Sequence, residues 1–201
     1  ERQPDGHDLG ARMNTKVAAT PETAPAYWAA ACEHLMRKDR VLRRLVPKLP
    51  GVAIETRGDP FVTLARSVVG QQISVKAAQS VWTRFSGLMK TVKPAQVLKL
   101  STEEMRGAGL SARKVEYLQD LATYFQTGKV SVKQWHLMED EAIITELVAI
   151  RGIGRWTAEM FLMFYLLRPD VLPLDDVGLL NGISKLYFSG EPVSRSEVRD
   201  L

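Results

Sequence analysis

The most informative segment of the sequence is Leu147-Val-Ala-Ile-Arg-Gly-Ile-Gly-Arg-Trp-Thr-Ala158. On either side of it, apolar residues recur at helical spacing through residues 140–150 and 155–167. Between these runs Gly152 and Gly154 flank Ile153, and glycine both permits a positive φ and lets another backbone come close. The segment therefore predicts two helices joined by a tight glycine turn.

The start of the second helix is a candidate phosphate site. Its first N–H groups have no partner inside the helix, and the positive end of the helix dipole lies there. Because such a contact involves backbone only, it would hold DNA without reading its sequence. On the glycine spacing alone, a helical hairpin that binds no ligand is the simpler interpretation.

The rest of the chain also predicts helices. Helix-start signals precede apolar runs of helical spacing at Asp59-Pro60, Ser74, Ser101-Thr-Glu-Glu104 and Ser111. A final helix is expected over residues 177–188, and no alternating strand is followed by a tight turn. We expect an all-α fold, preceded by a disordered tail over residues 1–24, which lack apolar periodicity.

Composition excludes several classes of protein. The 201 residues are 45% hydrophobic and 25% charged, and the longest apolar stretch, residues 160–167, is too short for a membrane span. One cysteine, Cys32, and three histidines argue against a disulfide or a zinc centre. A net charge of +4 permits nucleic-acid binding without demonstrating it. We expect a monomer, cytoplasmic or otherwise intracellular, with no membrane partner.

With its neighbours, the glycine turn resembles the helix-hairpin-helix motif of the DNA glycosylase superfamily that includes endonuclease III. The run Gly-Ile-Gly-Arg-Trp-Thr-Ala is especially similar to that of the bacterial alkylpurine (3-methyladenine type II) glycosylases. The resemblance covers roughly residues 27–201. It implies two helical subdomains facing a cleft, residues 60–173 and residues 25–59 with 174–201, without the N-terminal sheet domain of some larger relatives.

The segment Leu172-Pro-Leu-Asp-Asp-Val-Gly-Leu-Leu180 holds two candidate carboxylates. Asp175 is a candidate N-cap of the final helix. Asp176 aligns with the catalytic aspartate of the family, so the resemblance favours Asp176. Breaking an N-glycosidic bond builds positive charge on the deoxyribose, which a nearby anion stabilises. An alkylated purine is already cationic, so a strong general acid is dispensable.

Two further features follow from the resemblance. Bifunctional relatives have a nucleophilic lysine where this sequence has Trp156, which implies base removal without strand cleavage. The segment Val69-Gly-Gln-Gln-Ile-Ser-Val-Lys76 resembles the loop that fills the space left by the flipped nucleotide, with Gln72 as the wedge. Alternatively, Gln71 and Gln72 merely cap the adjoining helices.

The remaining site predictions are sets of residues. The predicted DNA contacts are Gln71, Gln72, Gly152, Ile153, Gly154, Arg155 and Thr157. The candidate walls of the base pocket are Trp156, Met160 and Tyr187, although aromatics at helical spacing are more often core, as expected for Trp28 and Trp82. No cofactor is required, but the resemblance implies a monovalent cation on the backbone carbonyls of Val148, Ile150 and Ile153.

The resemblance therefore implies a monofunctional DNA glycosylase that removes alkylated purines from double-stranded DNA in base excision repair. The alternative is a non-catalytic helix-hairpin-helix module that anchors DNA, as in ligases and polymerases. A protein-interaction domain would leave the glycines of the turn unexplained. Relatives continue through another helix that helps to line the pocket, and residues 194–201 look like its opening.

Overall fold

The structure is a computed structural model that describes residues 24–56 and 58–201, and every regular element in these residues is a helix. The all-α prediction is confirmed. Almost all of the predicted disordered tail lies outside the described residues. None of the helices in the described ranges has the length and apolar character that a membrane crossing needs.

The chain forms two compact units, the first ending at Ala53 and the second spanning Ile54–Leu201. The first unit contains α1 (Trp28–Lys38), α2 (Arg40–Leu45) and a 3₁₀ turn (Val46–Lys48). The second contains α3 (Pro60–Gly70), α4 (Val75–Gly87), α5 (Pro94–Val97), α6 (Thr102–Gly107), α7 (Ala112–Gln126), a 3₁₀ turn (Trp135–Leu137), α8 (Asp140–Val148), α9 (Arg155–Phe164), α10 (Val177–Tyr187) and α11 (Arg195–Asp200). The predicted division into residues 60–173 and residues 25–59 with 174–201 stays a prediction.

The predicted helix starts follow from local chemistry. The side chain of Asp59 accepts a hydrogen bond from the Val62 N–H at 2.9 Å, with Pro60 in the first turn of α3. Ser101 and Glu104 form a reciprocal capping box at the start of α6. Ser74 and Ser111 cap α4 and α7 in the same way as Asp59 caps α3. Each of these caps satisfies an N–H group that the helix itself leaves without a partner.

The core of the second unit packs α3, α7, α8 and α9 around fully buried apolar side chains. Trp135 lies at its centre, edge-on to Phe161 with ring centroids 5.2 Å apart, and its indole N–H donates to Glu146 at 2.7 Å. Trp82 is buried, as expected, whereas Trp28 is only half-buried. This core fixes the starting points of the loops that carry the candidate site.

Two helices end earlier than predicted. The helix before the glycine turn ends at Val148, two residues short of the expected end, because the Ile150 N–H bonds to the Leu147 carbonyl at 3.1 Å in a tighter turn. The following helix ends at Phe164, since Leu167 has a φ of 54° and the Arg168 N–H bonds back to the Leu162 carbonyl at 2.9 Å. The short helix α5 was not predicted from the sequence.

Candidate active site

The predicted hairpin is present, with α8 and α9 joined by the turn at residues 149–154. The side chains of Ile150 and Ile153 are buried and anchor this turn to the core, and the Ile153 N–H bonds to the Ile150 carbonyl at 3.1 Å. Gly154 is the N-cap of α9 and contributes no side-chain hydrogen bond. The first backbone N–H groups of α9 are therefore not capped by a side chain of the hairpin.

The two glycines of the turn have different roles. Gly152 has a φ of +84°, and a Cβ placed there would lie 2.2 Å from the ring of Tyr117. Gly154 has an ordinary φ of −93°, and a Cβ there would meet no atom within 4 Å. Gly152 is thus required by the protein itself, while Gly154 leaves open space at the start of α9.

One side of α7 supports the hairpin. The Arg151 N–H donates to Asp120 at 2.8 Å, the Arg151 guanidinium pairs with Glu116 at 2.8 Å, and the Tyr124 hydroxyl donates to the Ala149 carbonyl at 3.1 Å. These contacts fix the turn from outside the core and orient the start of α9.

The loop between α3 and α4 is bonded directly to the hairpin. The Gln71 side-chain amide donates to the Gly152 carbonyl at 2.8 Å, so this side chain does not serve as a helix cap. Lys114 on α7 donates to the Val69 carbonyl at 2.7 Å, and partial burial lowers the pKa of its ammonium group. A pocket of about 330 Å³ lies beside this loop, lined by Gln71, Gln72, Ser111, Arg113, Lys114 and Tyr117.

Gln72 lies at a bend of this loop in an uncommon backbone conformation. Its φ is +57°, which is uncommon for a residue other than glycine, and its side chain is exposed. Its neighbour Ile73 is 40% exposed. The loop therefore presents one polar and one apolar side chain to its surroundings at a bend held by Gln71.

Asp176 is held by two hydrogen bonds. Its Oδ1 accepts from the Leu179 N–H at 2.7 Å, and its Oδ2 accepts from the indole N–H of Trp156 at 2.8 Å. One donor belongs to α10 and the other to the first turn of α9. A carboxylate offers about four acceptor positions, so the two donors fix its orientation and leave positions open for another group.

The capping role expected of Asp175 belongs to Asp176. Asp176 is the N-cap of α10, while the carboxylate of Asp175 forms an ion pair with Arg195 of α11. The alternative interpretation of Asp175 as the helix cap was therefore wrong. The two adjacent carboxylates have different partners, and only Asp176 bonds to the helix that follows the hairpin turn.

Arg155, a predicted DNA contact, is paired within the protein. Its guanidinium binds both oxygens of Glu141 and donates from Nε to Glu159 at 2.9 Å. Its hydrogen bonds lower the pKa of Glu141, whereas burial raises the pKa of Glu159, a residue only 6% exposed. Among the other predicted contacts, Ile153 and Thr157 have buried side chains, which leaves them only backbone atoms to offer.

The predicted base-pocket residues differ in exposure. Trp156 is 42% exposed and bonds to Asp176, while Met160 and Tyr187 are half-buried. Val177, which follows the carboxylate, is 68% exposed. Two exposed apolar side chains therefore adjoin Asp176, Trp156 by its hydrogen bond and Val177 as the next residue. The pocket roles of Met160 and Tyr187 stay predictions.

The three carbonyls predicted to coordinate a cation lie at the hairpin. That of Val148 is at the end of α8, and those of Ile150 and Ile153 are in the turn that follows it. The Ile150 carbonyl also accepts a hydrogen bond from the Ile153 N–H. In the described part of the chain, no group of three or more His, Cys, Asp or Glu side chains is arranged to hold a metal ion.

Comparison with known proteins identifies the family. The model of the HhH-GPD superfamily of base excision DNA repair proteins matches residues 65–201, more than half of the chain. The chain belongs to the HhH-GPD superfamily. The matched region includes the loop at Gln71, the hairpin and Asp176, and it leaves out the first compact unit.

Individual relatives agree with the superfamily match. DNA-3-methyladenine glycosylase 1 of Schizosaccharomyces pombe is 35% identical over 162 residues, which are 77% of this chain and 71% of the relative. A DNA-3-methyladenine glycosidase from Bacillus halodurans has a similar structure, with a TM-score of 0.77, 35% identity, and coverage of 85% of this chain and 79% of its own. An S. pombe 3-methyladenine DNA glycosylase in complex with abasic DNA gives a TM-score of 0.75, 31% identity, and coverage of 85% and 86%.

The contacts of this HhH-GPD site were not predicted from the sequence. They include the bond from Trp156 to Asp176, the bond from Gln71 to Gly152, and the pairing of buried Glu159 with Arg155. One signal was available for the support of the hairpin. Glu116, Asp120 and Tyr124 recur every four residues on α7, which marks a stripe of polar groups facing a single partner.

Proposed function

We propose that this chain is a monofunctional DNA glycosylase that removes alkylated purines, of the 3-methyladenine and 7-methylguanine type, from duplex DNA in base excision repair. The observation that carries the proposal is the carboxylate of Asp176, oriented by two donors at the start of α10 and next to the helix that begins at the hairpin. A module that only anchors DNA needs the bond from the Leu179 N–H, which caps α10, but has no use for the second bond, which ties the carboxylate to the helix that begins at the hairpin.

The chemistry needs one anion beside the sugar. As the bond between sugar and base breaks, positive charge develops on the deoxyribose, and the fixed charge of Asp176 stabilises it. The open acceptor positions of the same carboxylate orient a water molecule for attack on the sugar. The leaving alkylated purine already carries positive charge and departs without a strong acid.

The bond between Trp156 and Asp176 suits a monofunctional enzyme. A lysine at position 156 would offer an amine for a Schiff base with the sugar, which leads to strand cleavage. The indole N–H cannot form that bond and instead donates to Asp176. Water is therefore the nucleophile, and the product is an abasic site in an intact strand.

In this proposal the backbone N–H groups of the hairpin bind the DNA, and the loop at Gln72 replaces the flipped nucleotide in the base stack. The N–H groups at the start of α9 suit a phosphate oxygen, and the open space at Gly154 lets the DNA backbone come close. The exposed Gln72, held at its bend by the bond from Gln71 to Gly152, fills the space of the flipped nucleotide. The loop that fills the vacated space and the hairpin that binds phosphate are thus joined by the hydrogen bond from Gln71 to Gly152.

The backbone carbonyls of Val148, Ile150 and Ile153 could coordinate a monovalent cation. Neutral oxygen ligands suit an ion of single charge, because they carry partial negative charge and no full negative charge. A bound cation would add positive charge near a DNA phosphate. The proposed reaction requires no step at this ion, since the charge that acts on the sugar is that of Asp176.

The test is base release. Purified protein is incubated with duplex DNA that carries 3-methyladenine or 7-methylguanine, and free base is measured together with strand integrity. We expect free methylated purine, abasic sites and uncut strands. Binding of the same DNA without release of any base would contradict the proposal and favour the non-catalytic anchoring module.

A further inference from the structure

The positive charge of this chain is concentrated in its first compact unit. Its residues 24–53 contain six Lys and Arg against two acidic residues, and residues 1–23 contain three against four, which gives the unit a net charge of +3; residues 54–201 contain eighteen against seventeen. All six cations fall within residues 37–48, which we call the basic segment, and all six are exposed: Arg37, Lys38, Arg40, Arg43, Arg44 and Lys48. This surface lies outside the region that matches the HhH-GPD superfamily.

Within α2 the cations share one face of the helix. Arg40, Arg43 and Arg44 are spaced by three and four residues, which places them side by side, while Leu42 and Leu45 are half-buried. Like charges at this spacing repel one another and destabilise a helix. Such an arrangement becomes favourable when a polyanion lies against it.

One of these cations has a structural role. Arg43 donates from Nε to the Met36 carbonyl at 2.9 Å and from Nη2 to the Arg37 carbonyl at 3.2 Å, so it binds the last carbonyls of α1. Arg40, Arg44 and Lys48 are exposed beside it. These three can be neutralised without removing the bonds of Arg43.

The hairpin itself supplies little free positive charge. Arg151 pairs with Glu116 at 2.8 Å, and Arg155 pairs with Glu141 and Glu159. Each of these arginines therefore faces a carboxylate of the same chain. The hairpin contributes backbone N–H groups, and the excess of exposed cationic side chains is found in the basic segment instead.

We propose that the basic segment is a second DNA anchor, which binds phosphates of duplex DNA without regard to sequence or damage. The proposal rests on the proposed function, since it assumes that DNA is the partner of this chain. A cluster of exposed, positively charged Arg and Lys side chains complements the closely spaced negative phosphates of a duplex. The anchor would supply affinity, whereas the hairpin and Asp176 supply position and chemistry.

The test compares two full-length variants of equal net charge. Arg40→Gln, Arg44→Gln and Lys48→Gln are combined in one variant, and Lys90→Gln, Lys93→Gln and Lys99→Gln, all exposed residues of the second unit, are combined in the control. Affinity for an undamaged duplex is measured from about 50 to 200 mM salt. A further variant, Arg40→Lys with Arg44→Lys, retains the charge and separates charge from packing.

We expect the basic-segment variant to bind about tenfold or more weakly, with a salt slope lower by about 2.7, because each lost phosphate contact removes about 0.9 from the slope. The control and the lysine variant should keep the parent slope. A salt slope equal to that of the parent in the basic-segment variant, or an equal loss of DNA affinity in the control, would overturn the proposal.

Base release separates this proposal from the proposed function. At saturating enzyme the single-turnover rate of the basic-segment variant should equal that of the parent, because its substitutions lie in the other compact unit from Asp176. A parent that releases no base refutes the proposed function, while the salt slopes still decide whether the basic segment binds DNA.

Discussion

The indole nitrogen of Trp156 lies 2.8 Å from Oδ2 of Asp176 and donates a hydrogen bond to it. The two residues are twenty positions apart and belong to different helices, one beginning at the hairpin and the other capped by Asp176. The bond therefore links the part of the protein proposed to hold the DNA backbone with the carboxylate proposed to act on the sugar. Trp156 is a positioning residue in this arrangement.

Trp156→Phe should slow base release while leaving DNA affinity unchanged. Phenylalanine retains an aromatic ring for a base but has no N–H for Asp176, and a hydrogen bond to a charged group contributes about 1.5–3 kcal/mol. We expect a decrease of about tenfold or more in the single-turnover rate. A rate equal to that of the parent would show that the ring alone matters.

The products should be abasic sites in uncut strands. Denaturing gels before and after alkali treatment report strand breaks, and borohydride trapping reports a covalent adduct between enzyme and DNA. Because position 156 has no amine, we expect breaks only after alkali and no adduct. Stoichiometric trapping would show that another lysine serves as nucleophile.

The features predicted from the sequence are those set by near neighbours. Asp59, Ser101 and Ser111 begin helices because a side chain bonds to an N–H three residues away, and this spacing is visible in the sequence. Asp175 and Asp176 are adjacent and have the same capping side chain. Which of them caps α10 depends on the path of the backbone, and the sequence spacing does not reveal that path.

Contacts between distant residues could not be predicted in this way. Gln71 and Gly152 are 81 residues apart, and only the packing of α3, α7 and α9 brings them together. Glu159 follows Arg155 by four residues, a spacing that predicts an exposed ion pair, yet its side chain is buried. Tertiary packing decided the surroundings of these residues, and the sequence showed only their chemical types.

The two hairpin glycines should respond differently to substitution. Gly152→Ala requires a positive φ and forces Tyr117 to move, so it should destabilise the protein by about 2 kcal/mol or more, which lowers Tm by about 5 °C. In Gly154→Val the new Cβ meets open space at an ordinary φ, and only the poorer helix-capping propensity of valine opposes it, so Tm should fall less than for Gly152→Ala. Thermal unfolding followed by circular dichroism measures both.

Gly154→Val should nevertheless weaken DNA binding. Its side chain would occupy the space through which a phosphate approaches the N–H groups of α9, and a backbone contact carries no information about sequence or damage. Affinity should therefore fall by a similar factor for damaged and undamaged duplexes in a binding titration. Parent-like affinity, with an unchanged Tm, would remove the hairpin from the DNA interface.

Asp176→Asn separates the charge of this residue from its role as a helix cap. Asparagine caps a helix nearly as well as aspartate, so the bond from the Leu179 N–H should survive and stability should change little. Loss of the negative charge removes the stabilisation of the developing sugar cation, and we expect release of 3-methyladenine to slow by about 10²-fold or more. DNA affinity should stay the same or rise, because the lost charge repels the phosphate backbone.

Asp175→Asn is the matched control for Asp176→Asn, since it removes the same charge one residue away. It breaks the exposed ion pair with Arg195, which contributes about 1 kcal/mol or less, and should leave the rate of base release near that of the parent. Both variants are compared by single-turnover release of 3-methyladenine alongside a DNA-binding titration. An inactive Asp175→Asn beside an active Asp176→Asn would move the catalytic role to Asp175. If both variants remain active, neither carboxylate acts on the sugar, and the chain is better explained as a module that anchors DNA.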